Sequence, residues 1–325
     1  MSLVFDWFRN VGGDNSILRR NVNWCANYFS AALDVNTCTS SREEFLSRAK
    51  RIVNASSIAY NENGWAYLYD HLDSVPIVSE FFLESCGVNE VVVGYELSRA
   101  QKRTLTKMGR AYVDIRLFPL RFLTDYHLSA STNDKSIHDR LVTLTPAPEY
   151  IQHHVAFRKS RAARKYDKRL DPKIGAVFFG QTQFDSSRIR NGEFIDDLFI
   201  RDALEEYKSE HNLTNFYIKA HPHEPLSREL ERELTKIGCK VTRTDTYHLL
   251  SVDDIRVCSL SSSVGFEAPH FGAKAKTFLP SAEKFRNVEE QTDVGDYIIL
   301  PSNIYQKDFF DYILKGDGKF KPYYP

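Results

Sequence analysis

The chain has 325 residues, 42% of them hydrophobic and 13% aromatic, and its 43 basic residues are balanced by 43 acidic ones. That length suffices for two ordinary domains with sizeable cores. Zero net charge excludes a nucleic-acid binder that works through a general basic field, and no apolar run approaches the roughly 20 residues of a membrane-spanning helix.

Five cysteines, Cys25, Cys38, Cys86, Cys239 and Cys258, form no CxxC or Cys/His metal spacing. A reduced, soluble, cytoplasmic protein is the expectation. The start, Met1-Ser-Leu-Val-Phe-Asp6, lacks the basic-then-apolar order of a signal peptide.

Residues 1–40 are aromatic and mixed, and Gly12-Gly13 interrupts any early helix. Ser41-Arg-Glu-Glu44 reads as a capping box. Phe45, Leu46, Ala49, Ile52 and Val53 then follow helical spacing. Helical patterns recur over 65–72 and, after Pro76, over 77–83. Val91-Val-Val-Gly94 reads as a buried strand leading into Glu96, 99–108 as a helix closed by Gly109, and 111–118 as a strand ended by Pro119. This alternation predicts a Rossmann-like first domain over 1–170.

A helix is expected over 149–166. It ends in a basic cluster of Arg158, Lys159, Arg161, Arg164, Lys165, Lys168 and Arg169. The cluster reads either as a solvated face or as a peripheral contact with an anionic membrane surface. Asp171-Pro172 breaks the chain, and the second domain is placed over 171–325. Its strands are predicted at 174–179, 215–220, 239–243, 255–260 and 275–279. Helices are expected at 193–211, 227–237 and from Ser263 onward, which makes a parallel doubly wound sheet. A last helix over 307–314 is expected to be able to cross back to the first domain.

Candidate chemistry sits where these strands end. Gln181 and Asp185 follow the first strand of the second half, His221-Pro222 the second, and Ser261-Ser262-Ser263-Val-Gly265-Phe-Glu267 the fourth. A histidine fixed by proline can donate to a phosphate, and serine hydroxyls with free amides at a helix start bind phosphate too. Capping alone would also employ serines. Gly265 permits close backbone approach. Glu267 reads either as an acceptor for ribose hydroxyls or as surface charge. Asp185 reads either as a nucleophile or base, with Gln181 orienting it, or as a loop cap beside Ser186 and Ser187. In the first half, Glu96 at a strand end suits general acid/base work. Asp114, inside a strand pattern, needs a partner such as Arg116 or Arg121, or else a role in a site. Asp196-Asp197 and Asp253-Asp254 lack a companion ligand and read as structural. With no DxD arrangement, no metal is expected.

As a set, Gln181-x-x-x-Asp185, His221-Pro222 and Ser261-Ser-Ser-Val-Gly-Phe-Glu267 resemble the QxxxD, HP and nucleotide-phosphate segments of the retaining β-Kdo glycosyltransferases of bacterial capsule and lipopolysaccharide O-antigen assembly. Gly94-Tyr-Glu96-Leu and Tyr112-Val-Asp114-Ile are similar to that family as well, so the likeness spans roughly residues 89–280. The first 85 residues carry none of it. The resemblance implies a GT-B-like α/β fold, with two Rossmann-like domains facing an interdomain cleft. The donor would be CMP-β-Kdo and the acceptor a glycan or lipid-linked glycan, at the inner face of the cytoplasmic membrane. It implies Asp185 as nucleophile of a double displacement, His221 and the serines on the phosphate, and Glu96, with Asp114 in reserve, as acceptor base. The alternative is an inverting CMP-sialic acid or CDP-glycerol-type transferase, in which Asp185 attacks no carbon. An epimerase-like enzyme of this fold and a non-catalytic partner are the remaining readings.

Overall fold

A computed structural model describes residues 2–5, 28–29, 32, 42–87, 91–124, 127–164, 175–279, 281 and 283–325. Gly12-Gly13, Ser41, Cys25, Cys38 and the expected boundary near residue 170 lie outside them, as do Lys165, Lys168 and Arg169 of the basic cluster.

Two five-stranded sheets organise the described chain. The first runs β1 (Ser2–Phe5), β2 (Val91–Tyr95), β3 (Ala111–Leu117), β4 (Leu128–Thr132) and later β12 (Ile298–Ile299), in that spatial order. β1, β2 and β3 are parallel, whereas β4 and β12 join antiparallel. Period-2 alternation sends Val92 and Tyr112 to one face and Val93, Val113 and Ile115 to the other. Helices Glu62–His71, Pro76–Ser85 and Arg99–Lys107 cover the first face. Lys135–Val142 and the chain's last turns, with Phe309, Phe310 and Ile313, cover the second. The expected helix over 307–314 is α-helical only over Lys307–Phe310 and continues as a π-turn over Asp311–Lys315.

The second sheet is wholly parallel, in the order β11 (Lys274–Thr277), β10 (Arg256–Ser259), β5 (Ala176–Phe179), β8 (Phe216–Lys219), β9 (Cys239–Val241). Its central strands are buried on both faces, Val177 and Phe179 on one side, Ala176 and Phe178 on the other. This is why they read as continuous apolar runs. The strand order reverses between β5 and β10, so a crevice opens at their carboxyl ends.

One predicted helix starts later than its pattern suggested. Instead of 193–211 it is Asp197–Glu210, capped by Asp196. Glu193–Phe194 (β7) pairs antiparallel with Ile189–Arg190 (β6). Asn191 and Gly192 turn the hairpin with φ of 52° and 82°, the left-handed geometry that an Asn-Gly pair accommodates. Phe194 then packs on Trp65, ring centroids 5.7 Å apart. The hairpin thus lies against the helices of the first sheet. Asp70 there accepts the Gly192 amide at 2.9 Å.

Arg158 of the basic cluster is not a solvated side chain. It is half-buried, donates to the Phe122 carbonyl at 2.8 Å and lies over the Tyr247 ring. Lys159, Arg161 and Arg164 are exposed, as is Phe157. Among the described residues, no helix is long and apolar enough to cross a membrane.

Candidate functional site

A cavity of about 620 Å³ lies where strand ends from both sheets meet. β2 delivers Glu96, β5 delivers Gln181 and Asp185, β8 delivers His221, and β10 delivers Ser261, Ser262 and Ser263. Gly265 lines it as well. Asp114, Pro222 and Glu267 stand outside its lining.

Gln181 and Ser261 span the point where the strand order reverses. The Gln181 Oε1 accepts the Ser261 amide at 2.6 Å, and its Nε2 donates to the Ser187 hydroxyl at 3.0 Å. Ser261 donates to the same hydroxyl at 2.9 Å. Ser187 in turn donates its proton to Asp185 Oδ1 at 2.7 Å, and its amide reaches that oxygen at 2.9 Å. Asp185 therefore does cap the short turn Ser186–Arg188. Only one of its oxygens is spent on the cap. Oδ2 has no hydrogen-bond partner among the described residues.

His221 is half-buried. Its Nδ1 accepts the His223 amide at 3.2 Å, so the neutral ring carries its proton on Nε2. Burial, followed by the neighbouring His223, lowers its pKa; Asp185 and Glu224 oppose the shift. The neutral form is thus favoured, a hydrogen-bond donor without charge.

The three serines do different work. Ser261 belongs to the Gln181–Ser187 network. Ser262 caps the helix Ser263–Glu267 by accepting the Val264 amide. The Ser263 hydroxyl has no partner among the described residues and lines the cavity. At Gly265 the close approach is to the sheet: a Cβ would sit 2.7 Å from Thr277 Oγ1 and 2.9 Å from Ser259 Oγ. A side chain there would force Thr277, Ser259 or the serine turn itself to shift.

Glu267 is neither surface charge nor a cavity wall residue. It is 1% exposed, and its Oε1 accepts the amides of Arg121 and Phe122. The Tyr247 hydroxyl lies 3.5 Å away. Burial raises its pKa to about 7, against the pull of the Arg121 and Phe122 amides and the Arg121 charge.

Asp114 is fully buried beside the cavity. It pairs with Arg116 at 3.0 Å, accepts the Tyr297 hydroxyl and lies 3.7 Å from Lys102. Arg116 also meets Glu283 at 3.4 Å. Burial alone would raise the Glu283 carboxyl. Arg116, then Lys102 and Arg99, overcome that and hold it at about 2. Arg116 and Lys102 thus face Asp114 and Glu283 in a nearly dry network, with Arg99 nearby. Arg116 and Glu283 reach the cavity wall from it.

Glu96 adopts φ of 53°, the left-handed region, at the end of β2. A glutamate pays about 1–2 kcal/mol there. Among the described residues, no three His, Cys, Asp or Glu side chains converge as metal ligands.

No family model and no curated protein sequence matches the chain. Among solved structures it is similar to a β-Kdo 2,7-transferase, KpsC of Thermosulfurimonas dismutans. The identity is 13% over 86% of this chain and 82% of that one, with a TM-score of 0.42. It is similar also to the β-Kdo 2,4-transferase of the same organism, at 18% identity over 60% of this chain and 71% of that one, with a TM-score of 0.38. A UDP-GlcNAc 2-epimerase of Neisseria meningitidis, bound to UDP-GlcNAc, overlaps at 10% identity over 84% of this chain and 81% of that one, with a TM-score of 0.28. At these scores the overlaps are loose, and the chemistry of the site follows from its own geometry.

Sequence reasoning had no hold on Ser187 as the link between Gln181, Ser261 and Asp185, nor on Glu283 and Lys284. The Ser186-Ser187 pair beside Asp185 was the available signal for the first. Nothing near 283–284 marks that segment.

Proposed function

We propose that the chain is a glycosyltransferase moving Kdo from CMP-β-Kdo to a saccharide acceptor, with retention of configuration, in a GT-B-like fold. The observation that carries this reading is the asymmetry of Asp185. One carboxylate oxygen is fixed by the Ser187 amide and hydroxyl, and the other is left open in a cavity shared with His221, Ser263 and Glu96. Fixing one oxygen orients the other for attack, which is what a carboxylate nucleophile needs.

In this reading Asp185 Oδ2 attacks the anomeric carbon of the donor. The bond from that carbon to the CMP phosphate oxygen breaks, and its electron pair leaves on the phosphate. His221 Nε2–H and the Ser263 hydroxyl stabilise the departing charge by hydrogen bonds already in place. An acceptor hydroxyl then attacks the same carbon and displaces Asp185, while Glu96 takes the hydroxyl proton. Two inversions retain the configuration. No metal enters these steps. The acceptor is a glycan or lipid-linked glycan, and the exposed Phe157, Arg161 and Arg164 of helix Pro148–Arg164 suit contact with an anionic cytoplasmic membrane face.

A second reading draws on the capping role of Asp185. In an inverting CMP-sialic acid or CDP-glycerol-type transferase, Asp185 would be a base or purely a cap, and no adduct would form. The deciding measurement is intact-protein mass after incubation with CMP-Kdo generated in situ, for wild type and Asp185→Asn. A Kdo-sized gain in the wild type alone is expected. Steady CMP release to an acceptor with no adduct would uphold Kdo transfer and count against Asp185 as its nucleophile. Absence of both CMP binding and release would remove the donor.

A further inference from the structure

Ser281 and residues 283–286, which lie between β11 and β12 in the sequence, form one wall of the cavity. This wall is pinned on both sides of Lys284. Glu283 accepts the Tyr69 hydroxyl at 3.1 Å and pairs with Arg116. Phe285 stacks on Tyr297 with ring centroids 4.9 Å apart. Between them, the Lys284 carbonyl accepts the Tyr297 amide at 2.8 Å. The backbone under Lys284 is therefore fixed by residues from three distant parts of the chain.

Its ammonium is used by none of them. Arg116 is matched by Asp114 and Glu283, and Arg286 by Asp296 at 2.7 Å. Arg121, also on the wall, is engaged within the protein. Lys284 lines the cavity and is exposed, and its side chain has no acid, hydrogen-bond or ring partner among the described residues. The same cavity presents the open carboxylate oxygen of Asp185, while His221 favours its uncharged form. An anionic ligand entering beside that carboxylate is repelled unless a cation meets it.

We infer that Lys284 is the receptor for an oxyanion of the donor, held ready on a preorganised strap. This rests on the cavity being the donor site. Two groups of a CMP-activated sugar acid share that chemistry, the sugar carboxylate and the nucleotide phosphate. A pinned backbone reduces the ordering cost of the contact, and a charge-assisted bond of this kind changes affinity about tenfold to a hundredfold.

The test uses the full chain as wild type, Lys284→Met and Lys284→Arg, with CMP binding by calorimetry and turnover of CMP-Kdo generated in situ. The Met variant is expected to raise the donor KM about tenfold or more, with Tm unchanged, and the Arg variant to restore most of it. Equal loss of CMP affinity assigns the phosphate, and unchanged CMP affinity assigns the carboxylate; both uphold the site. A Met variant matching a wild type that binds CMP and turns over donor overturns it. Should the wild type fail to bind CMP, the donor reading falls by itself, and inorganic phosphate then judges Lys284. Weaker phosphate binding in the Met variant upholds the oxyanion site, and equal binding sinks it.

Discussion

The carboxylate of Asp114 accepts the backbone amide of Leu97 at 2.8 Å. Arg116, paired with that carboxylate, donates to the carbonyl of the same residue. Both polar groups of Leu97 are thus clamped by one buried ion pair, and the amide of Glu96 is tied to Ile115 at 2.9 Å. The clamp holds Glu96 in its left-handed conformation at the cavity rim. Asp114 is then a positioning residue, fully committed to backbone and partners, and Glu96 is the group that reaches the cavity.

Glu96→Gly follows from this. Glycine relieves about 1–2 kcal/mol of left-handed strain but adds about 0.5–1 kcal/mol of unfolded-state entropy. Denaturant unfolding should show stability unchanged or raised by up to about 1.5 kcal/mol, while acceptor-dependent transfer is lost and CMP binding persists. Retained transfer would remove Glu96 from the chemistry. A loss of stability beyond about 1 kcal/mol would mean that its side chain holds the turn.

Ser187→Ala deletes the hydroxyl shared by Asp185, Gln181 and Ser261. A neutral hydrogen bond of this kind contributes about 1 kcal/mol to folding, so Tm should fall only slightly. The Asp185 carboxylate loses one of the two bonds that set its angle. Steady-state kinetics should show kcat down about tenfold to a hundredfold with KM for the donor little changed. A kcat equal to the wild type's would dissociate the serine network from catalysis.

Glu267 makes stability depend on pH. Its folded pKa of about 7 lies above the ordinary glutamate value of 4.5, so the folded state holds the proton more tightly. The contribution is fully present below about pH 4.5 and is lost as pH rises through 7, up to about 3 kcal/mol. Glu267→Gln keeps an oxygen for the Arg121 and Phe122 amides and removes the charge. Chemical denaturation from pH 4 to 9 should show the variant gaining on the wild type as pH rises and levelling off above about pH 8. Parallel curves would show that Glu267 does not titrate in that window.

Much of the second sheet can be read directly because its strands, buried on both faces, are unbroken apolar runs between turn residues. β4 is hidden for the opposite reason. Leu128-Ser-Ala-Ser-Thr132 places serines inside the fold, and they become tolerable only through distant carbonyls: Ser129 donates to Arg116 and Ser131 to Gly295. The helix start at Glu193 misleads because Phe194 and Ile195 continue the apolar spacing, although Asn191-Gly192 is a hairpin signal; what settles it is Trp65, far away in sequence. Gln181, Asp185, His221 and the serines could be grouped because each follows a strand end. Lys284 could not, since its place is fixed by Tyr69, Arg116 and Tyr297. Nor could the burial of Glu267, which depends on the turn at 121–122.

The return of β12 to the first sheet has a consequence for synthesis. Ile298 and Ile299 pair with Ala130 and Ser129, and Phe309, Phe310 and Ile313 fill the core around Val113 and Ile115. As the chain leaves the ribosome, the layer begun by residues 2–5 cannot close until residues beyond 313 have emerged, whereas the parallel sheet has all its strands by residue 277. The N-terminal sheet is thus the later of the two to have all its strands made, against the usual N-terminal-first order. Until Ile298 and Ile299 are made, the nascent chain carries an unfinished first sheet, with β4 unpaired along the edge that β12 later takes.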